Sequence, residues 1–317
     1  MSEQNIESTP APDPVRAIEA LERAVVVAET GAADRPILVA STADFRAASG
    51  SLLTEVRSRL DRVMMGRHPE EGLDALLAAG ALDAMLPEVS AMVGFGDGEW
   101  RHKDVWKHTK QVVRQAVPRL EVRWAALLHD IGKVKTRSIS ETGEVHFFGH
   151  AEVGARMFDR LERRMRLFSR EEALRGTVRF LILHHLRAAQ YDSSWTDSAV
   201  RRFAREMGEH LDDLLCLSRA DITTKRPEKK RRGLQNISTL ADRIRKLAEE
   251  DAVVPPLPGG VGDAIMKAFG LKPSRQIGEL KRSLEFAIEA GEIAPHLESE
   301  AYVQFLAENA ERFGLKR

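Results

Sequence analysis

Apolar residues recur at helical spacing along most of the 317-residue chain. Near its start, Ile18, Leu21 and Val25 are three or four residues apart, and the same spacing returns within residues 52–63 and 277–288. A period near 3.6 residues places such side chains on one face of a helix and lets that face pack against a core. The pattern therefore predicts a nearly all-α protein.

Short stretches rich in Gly and Pro interrupt the helical pattern. Residues 94–98 and 254–260 are of this kind. The first does not fit a phosphate-binding loop, so both are interpreted as breaks between helical sections. Around Thr142-Gly143, residues 137–139 and 145–147 have the composition of short strands. This segment predicts one β-hairpin inserted between helices.

The composition excludes several classes of protein. Lys plus Arg and Asp plus Glu number 48 each, so no global charge indicates a nucleic acid or a membrane as partner. Cys216 is the only cysteine, which excludes an intramolecular disulfide and favours a reducing compartment. No stretch approaches the length of a membrane span, and no signal peptide is evident, so we expect a cytoplasmic protein. Residues 1–14 are polar and predict a disordered tail.

Two polar residues fall on apolar helix faces in the histidine-rich middle of the chain. His108 shares a face with Val105 and Val112, and Asp221 shares one with Leu217. A lone inward histidine is more often a hydrogen-bonded core residue, whereas a buried carboxylate without a partner costs several kcal/mol. We therefore expect Asp221 to face a cation.

His129 and Asp130 directly follow a strongly apolar helix at residues 124–128. Neighbouring helical positions diverge by only about 100°, so both side chains can reach one ion, and Asp130 can bridge two. Imidazoles and carboxylates together suit Mn, Fe, Co, Ni or Zn, whereas an all-oxygen site favours Mg or Ca. The sequence thus predicts one or two divalent transition-metal ions near this quartet: His108, His129, Asp130 and Asp221.

The quartet resembles the signature of HD-domain metal-dependent phosphohydrolases. Residues 127–133, Leu-Leu-His-Asp-Ile-Gly-Lys, match the core of that signature closely. The resemblance implies an HD-domain helical bundle, flanked here by further helices and carrying the hairpin as an insertion. It also implies a metal-dependent phosphodiesterase or phosphatase.

A longer resemblance connects the chain to the bacterial tRNA CCA-adding nucleotidyltransferases. It covers about residues 50–295. Segments similar to the HD-containing C-terminal portion of those enzymes are 104–109, 148–155, 185–187, 195–202 and 219–225, while 72–88 is similar to their neck and 277–281 and 291–293 are similar to their tail. It implies a helical neck at 15–95, an HD domain at 96–232 and a helical tail at 233–317, for which RNA binding is one candidate role.

The chain departs from those enzymes at its N-terminal end. Residues 1–50 contain neither a Gly-rich nucleotide loop nor a metal-binding Asp-x-Asp pair. We therefore expect this chain not to add CCA and expect the HD site to be its catalytic centre. In family members with an intact HD site, that site hydrolyses 2′,3′-cyclic phosphates and phosphomonoesters.

The resemblance also implies further site residues. A second ion bridged by Asp130 would be held by His150 together with His184 or His185, and the resemblance favours His185. Lys133 follows the Asp130 turn and can neutralise a phosphate oxygen, and Arg187 can bind phosphate through its planar guanidinium. The alternative for each is a surface cation. His102 and Asp104 are candidates for orienting the metal ligands.

A basic run follows Asp221 and offers a contact for RNA or another anionic substrate: Lys225, Arg226, Lys229, Lys230, Arg231 and Arg232. The alternative is solvated helix-end charge. The sequence thus favours a nucleotidase and 2′,3′-cyclic phosphodiesterase acting on nucleotides or RNA. A non-catalytic RNA-binding module and an HD hydrolase of nucleoside triphosphates or alarmones are the alternatives.

Overall fold

The computed structural model describes residues 11–95, 104–252 and 255–315. Most of the predicted tail, residues 96–98 of the first predicted break, Val254 in the second and His102 lie outside these residues. The chain forms two compact units, Met1–Arg245 and Lys246–Arg317. The boundary between them falls inside one long helix.

Helices make up most of the described chain, and they are numbered here in chain order. The first unit contains α1 (Pro14–Thr30), α2 (Thr42–Ser51), α3 (Leu53–Met65), α4 (Pro69–Ala78), α5 (Ala81–Met85), α6 (Pro87–Ser90), α7 (Val105–Gln115), α8 (Leu120–Leu128), α9 (Lys133–Thr136), α10 (His150–Met165), α11 (Glu172–His184), α12 (Asp197–Met207) and α13 (Leu211–Ala220). Helix α14 (Pro227–Ala252) contains the boundary, and α15 (Val261–Phe269), α16 (Arg275–Glu289) and α17 (Ser299–Glu308) belong to the second unit. Short 3₁₀ turns lie at Ala188–Gln190 and Gly208–His210.

The strands confirm the predicted hairpin. Strand β1 (Ser138–Ile139) pairs antiparallel with β2 (Val145–His146), and Gly143 supplies the positive φ of +79° in the connecting turn. Each strand is one residue shorter than predicted. The described part of the chain is therefore all-α with one hairpin, as the sequence predicted.

Helix α1 begins earlier than the predicted tail allows. The Asp13 side chain accepts hydrogen bonds from the N–H groups of Val15 and Arg16, and Pro14 occupies the first helical position. The N–H of Asp13 also donates to Asp44 at 2.6 Å. The predicted tail extended to residue 14 because its composition is polar, but an Asp cap followed by Pro is a helix-start signal that composition does not register.

Helix α1 is the centre of the N-terminal helices, where it packs against α2, α3 and α4. A Cβ at Gly72 of α4 would lie 2.5 Å from the Cβ of Ala28, so this glycine permits the close approach of α1 and α4. Helices α3 and α4 in turn contact α8 and α7. The N-terminal helices thus support the two helices that carry His108 and His129.

Helix α8 lies at the centre of the next layer, surrounded by α7, α11 and α13, while α10 packs against α11. Every residue from 122 to 128 is buried, so no side of the later turns of α8 faces solvent. A helix buried on every side requires apolar residues on all its faces. The sequence Val-Arg-Trp-Ala-Ala-Leu-Leu meets this requirement except at Arg123. The guanidinium of Arg123 donates hydrogen bonds to the carbonyl groups of Met64 and Gly66. The residues that follow α8 therefore begin deep inside the unit.

The second unit has its own apolar core, formed by α15, α16 and α17 around Val261, Ile265, Leu284 and Leu306. Tyr302 is fully buried within it. Across the described residues of both units, no helix combines the length and the apolarity needed to cross a membrane.

Candidate metal centre

The end of α8 and the turn after it place two polar side chains in the interior. His129 caps α8, and its Nδ1 donates to the carbonyl oxygen of Ala126 at 2.8 Å. The turn continues through Asp130 to Gly132, where a Cβ would lie 2.0 Å from the carbonyl oxygen of His150. Only glycine fits so close an approach, and this contact brings Asp130 to the start of α10.

The first group of ligand atoms combines α7, α8 and the end of α13. His108, His129 and Asp221 each offer one ligand atom, and these three atoms lie within 4.8 Å of one another. They are close enough to bind one metal ion together. The Nε2 atom of His108 lies 3.3 Å from that of His129 and 3.1 Å from Oδ1 of Asp221. The Nδ1 atom of His108 lies 2.9 Å from the hydroxyl of Thr223, which fixes the imidazole plane.

The second group consists of Asp130, His150 and His185, all of them buried. His150 begins α10, His185 follows the end of α11, and their Nε2 atoms lie 3.1 Å apart. Their Nδ1 atoms donate to the carbonyl oxygens of Phe147 and Ile182, both at 2.8 Å. Each ring is therefore held by its own backbone with Nε2 directed inward.

The Asp130 carboxylate connects the two groups. Its Oδ2 lies 3.3 Å from Nε2 of His108 and 3.2 Å from Nε2 of His129, and it accepts a hydrogen bond from Lys133 at 2.6 Å. Its Oδ1 lies 3.4 Å from Nε2 of His150. Although Oδ1 is buried, it has no hydrogen-bond partner among the described residues. An unpaired carboxylate oxygen in a protein interior is costly, so this atom indicates a missing cation.

The tautomers of His150 and His185 strengthen this indication. A carbonyl oxygen can only accept, so the proton of each neutral ring is on Nδ1 and each Nε2 presents a lone pair. Two lone pairs then face each other across 3.1 Å, with Oδ1 of Asp130 beside them. Such an arrangement is repulsive unless a positive charge lies between the atoms. The donor set, imidazole nitrogens and carboxylates, fits a divalent transition metal.

The pKa values show how the two groups differ without a metal. Burial lowers the pKa of His108, but hydrogen bonds to Asp130 and Asp221 outweigh it and raise that pKa to about 9. Burial and then His129 lower the pKa of His185 to about 4, and burial also lowers that of His150. The second group is therefore held as neutral imidazoles, which is the form that binds metals.

The carboxylates of the site stay ionised. Burial raises the pKa of Asp221, but the hydrogen bond from His108 and the charge of His129 outweigh it and lower the pKa to about 2. Burial is likewise outweighed at Asp130, whose pKa lies well below its ordinary value because of His129 and His108. Both groups can therefore act as anionic ligands at neutral pH.

The structure does not bring every predicted site residue to the two groups. The ring of His184 lies against Phe180, with centroids 4.3 Å apart, whereas the adjacent His185 points inward. Of these two residues, only His185 offers a ligand atom to one of the two groups. Arg187 donates to Glu206 at 2.6 Å. Asp104 caps α7 through the N–H of Lys107.

The basic run after Asp221 is exposed throughout, from Lys225 to Arg232. Most of it lies in the first turns of α14, and Arg231 pairs with Glu228 at 2.6 Å.

Two of the contacts that hold the imidazole rings illustrate what sequence reasoning missed. Thr223 holds the Nδ1 side of His108, and the carbonyl of Phe147 holds His150. A signal existed for the first, because a buried hydroxyl two residues after Asp221 is a natural partner for an imidazole. The second contact involves a backbone carbonyl, which no side-chain pattern reveals.

Comparison with known proteins finds one family match and several relatives. Residues 105–226 match the HD domain family. The chain is 32% identical over 260 residues to the A-adding tRNA nucleotidyltransferase of Deinococcus radiodurans, covering 80% of this chain and 58% of that protein. It is 28% identical over 257 residues to the CC-adding tRNA nucleotidyltransferase of Thermus thermophilus, covering 79% and 56%. A shorter match, 35% over 130 residues, covers 38% of this chain and 31% of the multifunctional CCA protein of Pseudomonas paraeruginosa.

The chain thus spans somewhat over half the length of the first two of these relatives. Its HD region carries both His/Asp groups described above, and HD domains bind divalent metals in a phosphohydrolase-type fold. Residues 105–226 are therefore an HD domain, within a chain that resembles the A-adding and CC-adding tRNA nucleotidyltransferases.

Proposed function

We propose that this HD domain hydrolyses phosphate esters of nucleotides or RNA with the help of one or two divalent transition-metal ions. Terminal 2′,3′-cyclic phosphates and nucleoside monophosphates are the preferred substrates. The observation that carries the proposal is the bridging Asp130 carboxylate, whose buried Oδ1 has no hydrogen-bond partner beside the facing Nε2 atoms of His150 and His185.

The residues of the site have two roles: some would bind the metal ions, and others keep those ligands in position. His129, His150 and His185 would hold metal ions through Nε2, and their backbone hydrogen bonds keep each ring in one tautomer. Asp130 spans the two groups with its two oxygens, and Asp221 completes the first group. When bound, divalent ions supply Lewis-acid activation of the phosphoryl group and of the attacking water.

Lys133 is the best-supported residue for contacting substrate directly. Its ammonium donates to Oδ2 of Asp130 at 2.6 Å, while its side chain remains about 21% exposed. It can hold Asp130 in position and present positive charge to a phosphate oxygen. Arg187 has the weaker case, because its guanidinium would have to exchange Glu206 for phosphate.

Two observations favour RNA as the molecule that contains the substrate phosphate ester. The exposed basic run at 225–232 begins two residues after Thr223, which contacts His108. The relatives at 28–32% identity are named for acting on tRNA. Cationic residues in the first turns of a helix oppose its dipole, so their presence at the start of α14 favours a role in binding anions. Without hydrolysis, the same features would make the chain an RNA-binding module.

A substrate panel with matched variants tests this function. We expect the protein with Mn²⁺, Co²⁺ or Ni²⁺ to hydrolyse 2′,3′-cyclic nucleotides or nucleoside monophosphates. Asp130→Asn should lower the rate about a thousandfold, an effect of the size seen when a main electrostatic stabiliser is removed. Asp242→Asn, a surface carboxylate on α14, is the control and should retain activity.

Chelation should remove the activity reversibly. Full activity in Asp130→Asn, or in the chelated protein, would refute the proposed hydrolase. RNA binding that persists in Asp130→Asn, combined with no hydrolysis by the wild-type chain, would favour the binding module. Such binding should weaken steeply with salt.

A further inference from the structure

Phe148 is exposed to an unusual degree for a phenylalanine. About 77% of its surface is accessible, so the chain forgoes the roughly 1.5–3 kcal/mol that burial of such a side chain provides. It is not a loosely placed side chain, because its ring stacks on His146 with centroids 4.9 Å apart and an angle of 14° between the planes. We call these two parallel rings the hairpin platform.

The hairpin platform lies close along the chain to His150, a member of the second metal-ligand group. His146 ends β2, and Phe148 is separated from His150 by Gly149 alone. The intervening segment is held by the hydrogen bond from Nδ1 of His150 to the carbonyl of Phe147. Two peptide steps place the Cα atoms of Phe148 and His150 at most about 7.6 Å apart. The backbone of the platform residues therefore lies close to His150.

Cationic and anionic side chains both lie near the platform, and one of the cations also contacts Asp130. The ammonium of Lys133 lies 5.6 Å from the centroid of Phe147 and also contacts Asp130, while the guanidinium of Arg137 lies 5.9 Å from the centroid of Phe95. On the acidic side, Oε2 of Glu144 lies 4.0 Å from Nε2 of His146, and Oε2 of Glu152 lies 3.7 Å from where a Cβ on Gly149 would stand. The Lys133 ammonium contacts both Asp130 and the ring of Phe147, the residue between the two platform residues in the chain.

We propose that the hairpin platform stacks against the base of a nucleotide whose phosphate occupies the metal centre. A flat, exposed aromatic face binds any base, because every base has a π face, and it gains nothing from a sugar phosphate without a base. The inference rests on the proposed function for the position of the phosphate. It narrows the substrate to base-bearing phosphate esters and makes Phe148 a specificity residue.

Paired substrates test this assignment. We compare kcat/KM for AMP and for ribose 5-phosphate, which lacks the base, in the Mn²⁺-loaded full chain. Phe148→Ala should lower the ratio of the two values about tenfold, mainly through the KM for AMP, whereas Phe148→Trp should retain it. Ile139→Ala, another exposed apolar residue on the same hairpin, is the control for general damage to the hairpin and should leave the ratio unchanged. An unchanged ratio in Phe148→Ala would overturn the proposal.

A binding experiment separates failure of this inference from failure of the proposed function. If the wild-type chain hydrolyses neither compound, the hydrolase proposal fails, and the platform is then tested alone. In Phe148→Trp, stacking should quench the fluorescence of the introduced indole when AMP is added and should leave it unaffected by ribose 5-phosphate. Equal responses to both compounds, or no response to AMP, would refute the platform.

Discussion

The second unit and the HD domain differ in how a buried polar atom is hydrogen-bonded. In the second unit, the hydroxyl of buried Tyr302 lies 3.0 Å from the carbonyl oxygens of Pro256 and Ala294 and accepts the N–H of Leu297 at 3.2 Å. In the HD domain, Oδ1 of Asp130 is equally buried, and no hydrogen bond reaches it from the described residues. The one atom is fully paired by its own unit, and the other is not.

The missing partner, taken together with the facing imidazoles beside it, distinguishes Asp130 from a purely structural polar group. Folding favours interiors in which each buried donor and acceptor is paired, and Tyr302 meets that condition. Around Asp130 the imbalance extends to several atoms, since the acceptor atoms of His150 and His185 face each other. An interior with a surplus of acceptors requires a cation from outside the chain. The same reasoning supports a metal site without reference to any relative.

The largest effect is expected on Mn²⁺ affinity when His185 or its neighbour His184 is replaced. It tests whether the unpaired polar atoms of the HD domain form a metal site. His185→Gln should weaken Mn²⁺ binding by about tenfold to a hundredfold, because it removes an inward imidazole. His184→Gln is the matched control and should leave the affinity unchanged, since its ring packs on Phe180. Isothermal titration calorimetry measures both. Equal losses in the two variants would contradict the assignment of His185.

A smaller effect is expected from pH in the metal-free protein. The pKa of His108 is about 9 in the folded chain and near 6.5 when unfolded, so its ion pairs stabilise the fold fully below pH 6.5. That stabilisation, at most about 3 kcal/mol, should be lost as the pH rises from 6.5 to about 9. Thermal unfolding in chelator should show the decline, and His108→Gln should flatten it. A wild-type melting temperature that rises between pH 6.5 and about 9, while that of His108→Gln does not, would contradict this prediction.

The smallest effect concerns the paired side of the comparison. Tyr302→Phe leaves one N–H and two carbonyl groups without their hydroxyl partner and should destabilise the second unit by about 1–2 kcal/mol. Amide hydrogen exchange over residues 255–315 measures this change. Phe286→Ala, an exposed residue of the same unit, should have little effect. If Tyr302→Phe altered Mn²⁺ affinity, the separation between structural and functional polar groups would fail.

Much of this account was accessible from the sequence. Helical periodicity predicted α1, α3 and α16, the Thr-Gly turn predicted the hairpin, and inward spacing selected His108 and Asp221. The predictions of the helices and of the hairpin are confirmed because each depends on contacts within a few residues or on one face of a helix, whereas metal binding by His108 and Asp221 stays a prediction.

The remaining features depend on pairings between distant parts of the chain. The choice between His184 and His185 depends on the rotation at the end of α11, and the partner of Arg187 is Glu206 on α12. No periodic pattern encodes either one. The exposed Phe148 also carried no signal, because a phenylalanine beside a hairpin ordinarily predicts a buried ring.

The metal content of the purified chain tests the central claim most directly. After metal-free protein is loaded with Mn²⁺ and excess ion is removed, elemental analysis should find two equivalents per wild-type chain. Asp130→Asn should hold at most one, because the carboxylate that joins the two groups is lost. Absence of bound metal in the wild type, or an equal metal content in both proteins, would contradict the account.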